Sequence, residues 1–301
     1  MINIGGTAYR LHPLFVLLML SSVLTGYVVE MLTLFGVVTI HELGHVAAAK
    51  SFGWRVRQVQ LLPFGGVASV DESTNVPARQ EWIVALCGPL QNVWMAGISY
   101  MLVQAGWGNG EYWKYFLQAN ILIGSFNLLP LLPLDGGKIL LALLCYRISY
   151  HRALVSGLSI SLGFSVLIIL ISLVRYPAAG VQLNLLVIGI FLFYTNWYSL
   201  RHLHFYFLRF LLNREMRSIR MAEEGRLPSP LFVSSSSPPL QVLRRFMREQ
   251  YHLLYIIGSS GAVLQVWPEA KLLKAYLSHI GPPDTKRKGS ATFPRGKRKI
   301  V

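Results

Sequence analysis

Three ionisable side chains fall within five residues at His41-Glu42-Leu43-Gly44-His45. On a helix, positions four apart share a face, so both imidazoles can reach one ion. Glu42, one step round, can hold a water bound to that same ion. The chemistry this pattern serves is metal-assisted hydrolysis. By itself the pentapeptide arises by chance in roughly one chain of this length in a hundred. Its setting adds weight. From Leu14 to Ile40 the only charge is Glu30, and apolar character continues through Ala49. Ionisable groups inside a membrane span are expensive and persist where they have partners and a role.

Catalytic zinc takes three protein ligands and leaves a fourth position for water. The candidate third ligand is Asp135, in Asn127-Leu-Leu-Pro-Leu-Leu-Pro-Leu-Asp135-Gly136-Gly137, the only carboxylate between Glu111 and Glu215. Pro130 and Pro133 break a helix there and the paired glycines loosen it. Irregular backbone at membrane depth is tolerated only inside protein or beside a water-filled cavity. A second reading makes Asp135 the cap of a helix starting near Lys138.

These residues need a membrane scaffold to position them. Hydrophobic residues make up 53% of the 301 residues and charged ones only 14%, against about a quarter charged in soluble domains. That excludes an ordinary soluble domain and a disordered chain. Cys87 and Cys145 lie far apart in apolar surroundings, which excludes a disulfide framework and a thiolate zinc knuckle. A span needs about 20 apolar residues. Two helices turning near Gly26 to Glu30, then Trp82–Gln104, Trp113–Cys145 broken by prolines, Leu154–Val174 and Val181–Leu200 give about six transmembrane helices. For residues 14–29 a cleaved signal peptide is the rival reading. No small-residue cleavage site follows, so retention is expected.

Charge is divided unevenly. Residues 1–200 hold ten Lys/Arg and seven Asp/Glu, while residues 201–301 hold eighteen and six. With both termini cytoplasmic, the inner loops carry Lys50, Arg55, Arg57, Arg79, Arg147 and Arg152, and Arg10 precedes the first span. The outer loops carry only Lys114 and Arg175, as the positive-inside rule requires. No nucleic-acid-binding motif accompanies the basic third, so no direct nucleic-acid partner is expected.

The chain divides into a membrane-embedded domain at 1–200, an Arg-rich amphipathic linker on the membrane surface at 201–225, a small α+β domain at 226–283 and a basic tail at 284–301. In the third part a helix is expected over Pro239–Gln250. Strands at Leu253–Ile257 and Ala262–Trp267 follow, then a helix over Glu269–Leu277. This order resembles a single CBS motif. That resemblance implies a homo-oligomer, because such units pair, and an ATP site between partners. No glycine-rich phosphate loop supports nucleotide binding independently. The tail is expected to lie against anionic inner-leaflet lipid.

A membrane-embedded H-E-x-x-H with a later N-x-x-P-x-x-P-x-D-G resembles the site-2 proteases, intramembrane zinc metalloproteases. The resemblance covers roughly residues 36–145. It implies Zn2+ held by His41, His45 and Asp135, with Glu42 as general base. Leu132 stands where many members have a further proline. Gly88-Pro-Leu-Gln-Asn92 matches the family's G-x-x-x-N element, which makes Asn92 and Asn127 candidates for positioning substrate or stabilising the tetrahedral intermediate. Plain helix packing explains Gly88, and interhelical hydrogen bonding explains the asparagines, equally well. Leu61–Val70, with Gly65 and Gly66, is expected to form a short membrane-associated hairpin, which in this family offers its edge to an extended substrate.

A short N-terminus, six spans and a C-terminal CBS-like unit resemble the sporulation type of this family. That implies an enzyme of the mother-cell membrane around the forespore, cutting the pro-segment of a membrane-associated sigma factor and restrained by inhibitory membrane proteins. Two rivals belong to other classes. A metal transporter would need ligands strung along a path through the bilayer and gives Glu42 no special task. A catalytically inactive, nucleotide-sensing scaffold need not contain stoichiometric zinc.

Overall fold

A computed structural model describes residues 2–4, 7–11, 22–62, 65–70, 76–174 and 182–280. The chain forms two compact units, one of residues 1–142 and 160–196 and the other of 143–159 and 197–301. Residues 14–21, half of the signal-peptide alternative at 14–29, and the basic tail at 284–301 lie outside the described residues.

In the first unit, residues 22–25 are helical and the chain turns at Gly26, whose φ of 82° is open to glycine without strain. Helix α1 then spans Val28–Ser51. Its buried side includes Val37, His41, His45, Val46 and Ala49, while Val29, Leu32 and Leu43 face outward. Helix α2 (Ala78–Gln104) carries Pro89 in its interior, and α3 spans Gly110–Asn127 with Asn109 capping its first amides. The break expected near Pro130 is present, and α4 (Asp135–Arg147) follows it. Helices α5 (Tyr150–Leu173) and α6 (Leu183–Arg201) complete the apolar set. Among the described residues α1, α5 and α6 are long and apolar enough to cross a membrane.

The broken segment satisfies its backbone through neighbouring helices, as a membrane interior demands. The N–H of Leu132 donates to Ser161 Oγ of α5 at 2.9 Å, and Asn196 Nδ2 of α6 donates to the Leu132 carbonyl at 2.6 Å. This gives the leucine at 132 a use, since a proline would have no N–H to offer Ser161.

A four-stranded sheet accompanies the helices. Strands β1 (Ile2–Ile4) and β2 (Thr7–Leu11) pair antiparallel, β2 runs parallel to β3 (Val56–Leu62), and β3 pairs antiparallel with β4 (Gly65–Val70). The expected hairpin is therefore part of a larger sheet whose other half comes from the chain's start. Its order β1-β2-β3-β4 leaves β4 at one edge.

In the second unit, helix α7 (Leu203–Glu223) leads into β5 (Ser229–Ser234), the short α8 (Pro239–Leu243), β6 (His252–Ile257), β7 (Val263–Pro268) and α9 (Glu269–Ile280). β5 and β6 are parallel, and β6 and β7 antiparallel. Phe207, Leu211, Leu243, Phe246, Leu254, Trp267 and Leu273 form the core. Two details differ from the sequence expectation. Arg214 and Arg217 of α7 do not face a membrane surface. Arg214, 1% exposed, pairs with Glu269, and Arg217 pairs with Glu249. The helix expected over 239–250 stops at Leu243. In the stretch that follows, the guanidinium of Arg214 donates to the carbonyls of Met247, Arg248 and Gln250.

Candidate active site

The site is assembled from α1, α2, α3 and the start of α4. Leu43 faces outward, whereas His41, Glu42 and His45 are buried. Asp135 arrives in the first turn of α4, immediately after the broken segment. Its Oδ2 lies 3.2 Å from His41 Nε2 and 3.0 Å from His45 Nε2, and the two Nε2 atoms are 3.2 Å apart. The carboxylate is therefore turned onto the rings rather than used as a helix cap. Its other oxygen accepts from Lys138 Nζ at 2.9 Å. One ligand atom each from His41, Glu42 and His45 lies within 4.8 Å of the others.

The ring orientations follow from the outward-facing nitrogens. His45 Nδ1 is 2.8 Å from the carbonyl of Val84, which can only accept, so that nitrogen carries the hydrogen. His41 Nδ1 is 2.5 Å from Asn92 Oδ1. A chain of partners sets which way that amide points. The Phe116 carbonyl can only accept, so Asn120 turns its Nδ2 to it at 2.9 Å. Asn120 Oδ1 is then left to accept from Asn92 Nδ2 at 3.1 Å. Asn92 Oδ1 consequently faces His41. Both Nε2 atoms therefore present lone pairs to the space they share with Asp135.

Two imidazole lone pairs and a carboxylate oxygen converging at 3.0–3.2 Å repel one another unless a cation lies among them. A tetrahedral shell with ligand distances of about 2.0 Å has edges of about 3.3 Å. The three donors thus fit zinc in kind, number and spacing.

Backbone proximity makes this geometry possible. A Cβ on Gly88 would collide with the imidazole of His45 and come within 2.8 Å of His41 Nε2. One on Gly44 would lie 2.6 Å from the Cys87 carbonyl, so α1 and α2 touch through these two glycines. Gly136 and Gly137 lie against the backbone of residues 128–132, which folds the Asp135 turn tightly onto the broken segment. Gly88 is thus required by the histidine rings and not by helix packing alone.

Asn92 joins the cluster and bonds His41 through Oδ1 and Asn120 through Nδ2, so it orients a histidine ring. Asn127 does not join it, and its Nδ2 donates to Ile123 of its own helix. Gly65 and Gly66 open β4, opposite Leu62 and Leu61. Sequence reasoning missed Asn120, Lys138 and Ser161. An amide in the apolar run Tyr115–Ile123 was the one available signal for Asn120.

Comparison with known proteins decides what such a cluster belongs to. Peptidase family M50 matches at residues 29–109 and 103–171. The stage IV sporulation protein FB of Bacillus subtilis is 34% identical over 269 residues, covering 89% of this chain and 91% of that one. The chain belongs to peptidase family M50, the site-2 proteases. A zinc metalloprotease of Methanocaldococcus jannaschii is 29% identical over 203 residues, 64% of this chain and 57% of that protein. The solved site-2 protease from the same archaeon superposes with a TM-score of 0.53 at 25% identity, covering 66% of this chain and 94% of the other. This site-2 protease is accordingly a zinc metallopeptidase of the membrane, and the cluster at His41, Glu42 and His45 lies within the M50 match.

Proposed function

We propose that His41, His45 and Asp135 hold zinc and that Glu42 is the general base for hydrolysis of a peptide bond in or near the membrane. The observation that carries this reading is the convergence of two Nε2 lone pairs and one Asp135 oxygen within 3.2 Å of each other. Zinc, when bound, supplies a Lewis acid that polarises the scissile carbonyl and brings the pKa of water towards neutrality. Glu42, buried beside the histidines, takes the water's proton and passes it to the leaving amine. Asn92 and Asn120 keep His41 from rotating, the Val84 carbonyl does the same for His45, and Lys138 steadies Asp135.

A helical substrate hides its peptide bonds and must unwind before it is cut. The outer edge of β4, beginning at Gly65 and Gly66, suits an extended segment, because an edge strand offers N–H and C=O groups to a further strand. The substrate is a membrane-associated precursor, specifically the pro-segment of a sporulation sigma factor. Support for that comes from the 34% identity to a sporulation protein along nearly the whole chain. Six spans with both termini cytoplasmic, in the mother-cell membrane and under membrane-protein inhibitors, complete the proposal.

Self-association through the C-terminal sheet is part of the same reading. Phe232, Tyr255 and Val266 stand in register across β5, β6 and β7, and Phe232 is 58% exposed. An apolar stripe of this kind suits a second copy of the chain, as a CBS-like unit requires. Co-expression of wild type and Glu42→Gln with a panel of membrane-associated precursors tests the enzymatic core. The variant retains zinc and cleaves nothing; full cleavage by it overturns the assignment of Glu42.

A further inference from the structure

The second unit contains a cavity of about 410 Å³ that plays no part in the proposed hydrolysis. Its wall includes Arg201, Arg244, His151 and His204, over a floor formed in part by the buried Phe207 and Leu211. The lining contains no carboxylate. Arg214, Arg217 and Arg226 each have an acidic partner, but Arg201 and Arg244 enter no ion pair among the described residues. Two guanidinium groups facing one hollow repel one another unless an anion occupies it, and the two imidazoles beside them add hydrogen-bonding capacity. The volume falls within the usual range of small-molecule sites, about 300–1,000 Å³.

The height of the cavity on the molecule says which anion. His151 opens α5 and Arg201 closes α6, both helices apolar and long enough to span a bilayer. Beside Arg201 on α6, Trp197 and Tyr198 are exposed, and Arg201 lies over the Trp197 ring at 4.8 Å. Tryptophan and tyrosine gather at the level of lipid headgroups. A half-basic, half-apolar hollow at that level matches a phosphate joined to glycerol and acyl chain better than a soluble ion. We propose that this cavity binds the phosphate headgroup of an anionic phospholipid, with Arg201 and Arg244 on the phosphate oxygens.

The test uses the full chain in nanodiscs of equal parts phosphatidylglycerol and phosphatidylcholine. Lipid that stays bound after release into detergent is measured by native mass spectrometry. Phosphatidylglycerol should be retained over phosphatidylcholine by about tenfold or more, a ratio two charge-assisted contacts can supply. Arg201→Gln/Arg244→Gln should abolish that preference, and Arg226→Gln should preserve it. Millimolar inorganic phosphate or ATP should not displace the lipid. Equal retention of the two lipids by wild type overturns the proposal without any variant. It is also overturned by equal loss in Arg226→Gln, which would mark diffuse attraction, or by displacement by phosphate or ATP, which would mark a soluble ligand.

Discussion

Gly88 of α2 lies directly beneath the imidazole of His45 on α1, so close that a methyl group there would occupy the ring's position. Its neighbour His41 would be met at 2.8 Å by the same carbon. The two helices are thus spaced by the thickness of a histidine ring. Gly88→Ala should cost zinc affinity by about 10–100-fold, the range typical when the surroundings of a metal ligand are disturbed. Gly97→Ala, on the same helix with nothing within 4 Å of its added carbon, should keep full zinc. Metal content of the two purified variants checks the comparison, and equal zinc in both would show that the rings can move aside.

Asn120 never touches a histidine, yet it decides how Asn92 presents itself to His41. Asn120→Ala leaves Asn92 free to turn its amide, placing an N–H where His41 needs an acceptor. The expected result is a drop in zinc affinity of about 10–100-fold with the fold preserved. Asn92→Asp retains an acceptor towards His41 and should lose less than Asn92→Ala. Competition with a chelator followed by metal analysis reads both variants. A normal affinity in Asn120→Ala would reduce the asparagine pair to helix packing.

The features legible in the sequence were those fixed by spacing along one element or by chemical necessity. His41 and His45 share a helical face whatever surrounds them, and an isolated carboxylate just after two prolines in an apolar run had few other reasons to be there. The broken backbone before Asp135 followed from Pro130 and Pro133. What escaped was set by partners distant in sequence. Strands β1 and β2 are only three and five residues long and gain their sheet from β3, about fifty residues away. Arg214 and Arg217 sit on an amphipathic helix whose pattern says that one face is covered but not by what; a buried carboxylate, not lipid, covers it. The same arginine binds the carbonyls of Met247, Arg248 and Gln250, in the stretch expected as helix but irregular beyond Leu243. β5 escaped for a related reason, because its pairing with β6 is parallel and leaves no hairpin turn in the sequence.

Ser161 offers a compact test of the broken segment. Its hydroxyl accepts the hydrogen bond of the Leu132 N–H, in a region where water is not a general substitute. Ser161→Ala should destabilise the protein by about 1–3 kcal/mol, the cost of orphaning a buried donor. Because Leu132 lies three residues before Asp135, zinc should also be released more readily on heating. Thermal unfolding in detergent, followed with a zinc indicator, measures both effects. An unchanged melting profile would mean that the segment finds another acceptor.

The Arg214–Glu269–His252 cluster makes the second unit sensitive to acid. Burial by itself would push the Glu269 carboxyl up, but its bond to His252 and the adjoining Arg214 guanidinium outweigh that and hold it below the ordinary value. A carboxyl depressed in the folded state contributes stability that is complete above its unfolded value, about 4.3. That contribution fades as pH falls from there through the folded value. Glu269→Gln should remove this dependence and also strand Arg214, which is 1% exposed, without a counter-charge. Breaking a buried pair from one side costs about 3–5 kcal/mol. Hydrogen exchange of β6 and α9 at pH 7 in the full chain should therefore rise sharply in the variant. In wild type the same amides should lose protection only as acid is added below the ordinary carboxyl range. Equal protection of the variant and wild type at pH 7 would show that the carbonyls of Met247, Arg248 and Gln250 are enough to hold Arg214 in place.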